Sequence, residues 1–352
     1  MHGDEQIRVN PEMLRLAREA REMTQSDLAR RIGVPQSKVS KFEADLIPVS
    51  DSDLERIASV LDFPNHFFTW TDSVYGCASH EIFHRMRRKI GTRLLGRVHA
   101  EINIRQMQLR RLLGSAVIEY DDFPRIDAEE FDGDIELIAG AVRAAWHLPP
   151  GPVRNVTEAI ENAGGVIVPQ DFGTRQIDAV SQWLPHLPPV LFVNTRFPGD
   201  RLRLSLCHEL GHLIMHRIVR PEAESEAYRF AAEFLMPAAD IRHQLQNVTL
   251  PKLADLKPYW KVSMAALAKR AYELEAITER QYRRLMIRLT QLGYRLREPI
   301  DIPPEQPVIF QQLLDLHRKE LSYSARELLY FLGRNDMRSV YPQVGANLTV
   351  VA

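Results

Sequence analysis

Apolar residues recur at three- and four-residue spacing through most of this chain, and they gather into short continuous runs in only a few places. Met13, Leu14, Leu16 and Ala17 give a first helical stripe behind Pro11, which suits a first helical position. Thr24 is placed to cap a second helix over Gln25–Ile32, which Gly33 ends, and Val34 plugs the turn. A third helix opens at Gln36 or Ser37 with Val39 and Phe42 inward. A fourth opens at Asp51 or Ser52 with Leu54, Ile57, Ala58 and Leu61 inward. After a polar linker at 70–82, the stripe Ile82, Met86, Ile90, Leu94, Val98, Ile102 and Met107 predicts a long amphipathic helix over 83–113. A helix carrying Ile138, Val142 and Trp146 follows, then one capped near Asn155. The pattern then changes. Gly165–Val168, Ala179–Trp183 and Val190–Asn194 read as short strands between Pro-rich turns. From Arg201 a helix is expected to run to about Arg220, where Pro221 closes it, and another begins at Glu222. Helices over 265–275 and 278–292, a Pro-rich boundary at 299–307 and a small helical tail at 308–335 complete the chain. The fold class expected is mainly α with a small β-sheet (α+β).

The second and third helices, joined by a tight Gly-containing turn, have the helix-turn-helix design. The outward Gln25, Gln36, Ser37, Lys38, Ser40 and Lys41 have the chemistry to meet phosphates and base edges. The run Leu28-Ala29, Gly33-Val34, Val39–Glu43 and Leu54 to Ala58 resembles the XRE/Cro-type DNA-binding domain over about sixty residues. The resemblance implies that DNA is a partner. Acids slightly outnumber bases in this segment, and the alternative is a helical bundle used for protein contacts or for a homodimer.

Charge and composition narrow the picture. The chain has 352 residues, 45% of them hydrophobic and 26% charged, with a formal net charge of -1. That length allows two or three domains, and the balance makes no global claim on nucleic acid. Contact with DNA must come from a local patch. Arg85, Arg87, Arg88, Lys89, Arg93, Arg97, Arg105, Arg110 and Arg111 make 83–113 the most basic region. It is read either as an additional phosphate contact or as a solvated face pairing with the acids at 121–132. Two cysteines, Cys77 and Cys207, are too few for a disulfide scaffold and fit a reducing, cytoplasmic setting. No stretch approaches membrane-spanning length, and no signal-peptide pattern is seen.

The candidate chemistry lies in Leu206–His216. His208 and His212, four residues apart on a helix, share a face and can reach one metal ion, while Glu209 points a quarter-turn round toward a water. Two histidines do not complete a catalytic site. Glu224 on the next helix shares a face with Ala227, Tyr228 and Ala231, and an inward carboxylate needs a partner. Glu226 is the second choice for a third ligand. His216 is another, or a hydrogen-bonding neighbour of the ligands. Cys207 reads as a small buried hydrophobe.

Arg201–His212, His216, Glu224-x-x-Ala227 and Phe230–Pro237 together resemble the ImmA/IrrE metallopeptidase family. So do the strand residues Ala179–Ser181 and Phe192–Asn194, and the pattern Leu256-Lys257-x-x-Trp260-x-Val262-Ser263-x-x-Ala266-Leu267. The similarity runs from about 155 to 298. It implies a zincin-like zinc endopeptidase that cleaves a helix-turn-helix repressor. The ligands would be His208, His212 and Glu224, and the general base Glu209. Zn²⁺ is the implied metal, with Mn²⁺ or iron able to substitute. Tyr228 stands where that family commonly has Asn. Tyr228, Tyr259 and His216 are the candidates for an oxyanion helper, and His216, Glu226 and Tyr228 for groups surrounding the ligands. The segments expected are a helix-turn-helix domain at 1–70, a basic helical linker at 71–134, the metallopeptidase domain at 135–298 and a helical extension at 299–352. Besides a repressor-cleaving protease, the same residues allow a DNA-binding regulator whose peptidase-like domain senses a metal or ligand, or an antitoxin-like interaction protein.

Overall fold

The computed structural model describes residues 8–76, 91–118, 120, 123–217 and 220–335. The expected start of the long amphipathic helix, including Ile82, Met86, Ile90, Arg85, Arg87, Arg88 and Lys89, lies outside them, as do Cys77, Asp121 and Asp122. The chain divides into two compact units. One is 1–117 with 311–352, and the other is 118–310.

The first unit begins with four helices, α1 (Pro11–Ala20), α2 (Gln25–Ile32), α3 (Gln36–Glu43) and α4 (Asp51–Leu61). Local chemistry fixes their ends. Asn10 caps α1 beside Pro11 at the first position. Thr24 and Asp27 form a reciprocal capping box at α2, and Gly33 ends that helix in the left-handed region at φ 71°. The cap of α4 is Ser50, one residue before the expected opening at Asp51. Met13, Leu14, Leu28, Val39, Phe42, Ile57 and Leu61 make the core. Arg18 of α1 grips Glu43 of α3 with two hydrogen bonds of 2.5 and 2.9 Å.

Helix α5 (Thr92–Leu112) shows where the amphipathic reading falls short. Val98, Ile102 and Met107 of its stripe are buried, but so are Glu101, Asn103, Arg105, Gln106 and Gln108 on other faces. Asn103 exchanges hydrogen bonds with the backbone of Tyr75, and the chain's C-terminal segment takes up Gln108 and Glu101. Gln108 Nε2 donates to Leu332 O at 2.9 Å, and Arg334 pairs with Glu101 at 3.1 Å. The basic face is therefore not simply solvated. Arg97 meets Glu22 at 2.7 Å, and Arg111 meets Asp72 at 2.6 Å while lying over Trp70. Gly333, at φ 60°, lies so close to Trp70 that an added Cβ would fall 2.6 Å from its ring.

The second unit holds α6 (Ile135–Ala145), α7 (Val156–Asn162) and a three-stranded sheet. Strands β1 (Val166–Gln170), β2 (Ala179–Gln182) and β3 (Val190–Asn194) lie in the order β1-β3-β2. β3 is central and buried along its length, parallel to β1 and antiparallel to β2. The motif helix α8 (Gly199–Met215) follows, then α9 (Ala223–Leu235), α10 (Ala238–Ile241), α11 (Leu250–Trp260), α12 (Met264–Glu273) and α13 (Glu279–Gln291). Helices α14 (Ile309–Lys319) and α15 (Ala325–Phe331) come last in the chain and, from Gln311 on, belong to the first unit. Thr278 and Ser324 form capping boxes at α13 and α15. The core of this unit joins Leu191, Leu206, Cys207, Leu210, Phe230, Phe234, Trp260 and Leu267. Helix α8 ends five residues before Arg220, because His216 leaves helical geometry at φ -112°, ψ 90°.

Candidate metal centre

Three elements assemble the site. α8 supplies His208, Glu209 and His212, α9 supplies Glu224, and β2 supplies Ser181 beside them. The apolar positions of α8 explain its orientation. Leu206, Cys207, Leu210 and Ile214 enter the core and leave the two histidine rings on the opposite side. Gly211, between the ligating positions, is the contact point with α9. A Cβ there would lie 3.2 Å from Ala227 Cα and from the Phe230 ring. The missing side chain lets the two helices approach closely enough for Glu224 to reach across.

The donor atoms converge. His208 Nε2 and His212 Nε2 are 3.1 Å apart, and Glu224 carboxylate oxygens lie 3.6 and 3.5 Å from them. Ligands about 2.1 Å from a tetrahedral zinc are separated by about 3.4 Å, so this triangle has the dimensions of three corners around one ion. It is also the one His/Cys/Asp/Glu cluster of that kind among the described residues. The three groups fit a divalent transition metal: two imidazoles and one carboxylate, partly exposed, with a fourth direction open to water. The Glu224 carboxyl is held well below the usual carboxylate range, first by its bonds to His208 and then by those to His212. Burial works against the charged form of His212. Its bond to Glu224 and the charges of Glu209 and Glu224 outweigh it, and the His212 pKa is raised.

Groups behind the ligands set their orientation. His212 Nδ1 meets His216 Nδ1 at 2.9 Å, and His216 Nε2 meets Glu226 Oε2 at 2.8 Å. Arg220 closes the row on Glu226 at 3.3 Å. Burial lowers the His216 pKa against the opposing bond to Glu226, which favours the neutral ring. His208 has no such support. Its Nδ1 is buried without a hydrogen-bond partner, and its ring rests against Tyr228 with centroids 4.2 Å apart. Glu209 is held separately. Ser181 Oγ donates to its Oε2 at 2.6 Å, which keeps the carboxylate off the ligand cluster.

The predicted residues thus divide. His208, His212 and Glu224 come together, with Glu209, His216, Glu226 and Tyr228 around them. Glu226 reaches His216 rather than the ligand triangle. His216 is occupied on both nitrogens, which removes it as an oxyanion helper. Tyr259 packs edge-on against Trp260, and no contact places it with the cluster. Tyr228 is at hand, with its phenol pKa raised by burial and then by the Glu224 charge. Burial also pushes the Cys207 thiol far up, as befits a small core residue. Ser181 was legible only as a strand residue. A polar position among Ala179, Val180 and the core-facing strand is a weak signal, and its role depends on which helix the edge strand meets.

In the first unit, the residues expected to face DNA are partly engaged with one another. Gln25 donates to Glu43 at 2.9 Å and accepts from Gln36 at 2.8 Å. Lys38 binds Asp53 at 2.8 Å, tying α3 to α4. Gln36, Ser37 and Lys41 are exposed, and Ser40 is half-buried.

Comparison with known families agrees with this geometry. Residues 12–66 match a helix-turn-helix domain family, and residues 160–272 match the IrrE N-terminal-like domain of peptidase family M78. No curated protein matches the chain. None of the helices among the described residues is long and apolar enough to cross a membrane. The chain is thus similar to a helix-turn-helix domain near its start and, beyond it, to the IrrE N-terminal-like domain, within which the candidate His/Glu metal site lies.

Proposed function

We propose that the protein is a DNA-binding, zinc-dependent endopeptidase that cleaves a helix-turn-helix transcriptional repressor in the cytoplasm. One observation carries the reading: a ligand triangle of His208, His212 and Glu224 lies beside a separate carboxylate, Glu209, that is held off the triangle by Ser181. A site that only bound metal would have no need of that fourth group.

When bound, zinc or manganese would acidify a water and polarise the scissile carbonyl. His208, His212 and Glu224 would hold the ion, and His216 and Glu226 orient His212. Glu209 accepts the water proton at its carboxylate and delivers it to the leaving amine. Ser181, bonded to Oε2, leaves Oε1 to carry that proton. The outer edge of β2 can take an extended peptide by backbone hydrogen bonds beside α8. The helix-turn-helix domain brings this chemistry to DNA, where a repressor is found.

The contact of Tyr228 with His208 favours a second reading, a DNA-binding regulator whose peptidase-like domain senses a metal or ligand without cutting. One experiment separates the two. Candidate repressors are incubated with wild type and with Glu209→Gln, each loaded with zinc or manganese. Cleavage by wild type alone supports the protease. Equal outcomes for the two proteins leave the sensor.

A further inference from the structure

The helix-turn-helix segment is electrostatically ill-suited to hold DNA alone. Residues 12–66 contain ten acids against eight bases. Five of the bases are committed internally, Arg18 to Glu43, Arg21 to Asp62, Arg30 to Asp27, and Lys38 and Arg56 to Asp53. Affinity for duplex DNA comes largely from neutralising phosphates and releasing their counterions, and this segment has little surplus charge to do it.

Besides the basic region at 83–113, a second surplus lies later in the chain. Residues 279–297, covering α13 and the turn after it, hold six arginines and a single acid, Glu279. Arg280, Arg284 and Arg288 recur every four residues, so they form one row about 6 Å apart along the exposed helix face. Arg283 pairs with Glu279 at 2.6 Å and Arg297 approaches Asp301 at 3.7 Å. Among the described residues, no carboxylate lies within ion-pair distance of Arg280, Arg284, Arg288 or Arg295. An exposed row of cations without counter-charges costs the fold repulsion and contributes nothing to its stability. A folded domain that keeps such a row is complementary to a polyanion. Guanidinium groups are suited to phosphate oxygens, which they can meet bidentately.

We propose that the Arg280–Arg284–Arg288 face of α13 binds the phosphate backbone of duplex DNA, without reading its sequence. It would supply the charge that the helix-turn-helix domain lacks. This rests on the DNA-binding half of the function proposed above and is independent of peptide cleavage.

The test uses the full-length protein and a mixed-sequence duplex of about 30 bp, with affinity followed by fluorescence anisotropy between about 50 and 200 mM salt. Arg280→Gln/Arg284→Gln/Arg288→Gln should weaken binding about tenfold or more. The slope of log affinity against log salt should become shallower by about two to three, at roughly 0.9 for each phosphate that is no longer neutralised. The triple Arg→Lys variant keeps the charge and should keep most of the slope, and matching melting temperatures show that the variants fold. Unchanged affinity and slope in the Gln variant overturn the proposal while leaving DNA binding by the helix-turn-helix domain intact. Absence of any duplex binding by wild type overturns it together with the DNA-binding reading. Poly-glutamate competing as well as duplex DNA also overturns it, and points to an acidic protein as the occupant.

Discussion

His212 and His216 face each other through their Nδ1 atoms, 2.9 Å apart, and that contact determines where the proton on His212 resides. An ionised carboxylate only accepts, so His216 donates to Glu226 through Nε2 and, being neutral, accepts at Nδ1. His212 must then donate from Nδ1. Its Nε2 lone pair is thereby aimed at His208 and Glu224. The row Glu226–His216–His212 fixes the tautomer that metal ligation requires.

Breaking that row should loosen the metal. His216→Ala and Glu226→Gln are each expected to weaken zinc binding by about 10- to 100-fold, the usual effect of removing a ligand's supporting hydrogen bond. Calorimetric titration of the apo-protein measures this. Wild-type affinity in both variants would refute the assignment of the proton.

Ser181 should act on rate rather than on metal content. Losing a hydrogen bond to a charged group costs about 1.5–3 kcal/mol, and Ser181→Ala should slow cleavage about tenfold or more. Metal stoichiometry is expected to stay unchanged, and Ser181→Thr should restore activity. A loss of metal in Ser181→Ala would assign Ser181 to the ligand shell instead.

Lys257 anchors the N-terminal end of the site helix. Its ammonium is buried between Asp200 at 2.5 Å and Glu298 at 2.6 Å. Burial works against that charge, but the two carboxylates win and the pKa is raised. Lys257→Met leaves both acids buried and unpaired, and should cost about 3–5 kcal/mol. A raised amine pKa stabilises the fold fully below the unfolded value of about 10.4 and is lost as pH rises through the folded one. The difference in unfolding free energy between wild type and variant should therefore be flat through neutral pH and shrink only in strong alkali. A difference that already narrows between about pH 6 and 8 would contradict this.

Glu161 makes the opposite prediction. Burial raises its pKa, although the backbone N–H groups of Val308 and Ile309 bond to it. A carboxyl pKa raised on folding stabilises the native state below the unfolded value of about 4.3, and that stability is lost as pH rises through the folded value. Glu161→Gln keeps an acceptor without the charge. Its melting temperature should match wild type near pH 4 and exceed it at pH 7. Melting curves across that range decide the matter, and a variant less stable than wild type at pH 7 would overturn it.

The sequence determined most of the local structure by itself. Thr24, Gly33, Thr278 and Ser324 mark helix ends because capping is decided within a few residues. Four-residue spacing put His208 and His212 on one face of one helix for the same reason. The inward carboxylate Glu224 was legible as a polar residue on an apolar face. The tertiary structure alone decided the rest. Helix α5 reads as amphipathic, yet Glu101 and Gln108 are buried, because residues 332–334 return from the far end of the chain to pair with them. His216 reads as a residue one turn further along α8, yet the helix stops there and the ring turns back onto His212. Ser181 reaches Glu209 only because β2 occupies the sheet edge next to α8. Such contacts join residues tens to hundreds of positions apart. No periodicity encodes them, and they follow from which surfaces pack together once the local elements have formed.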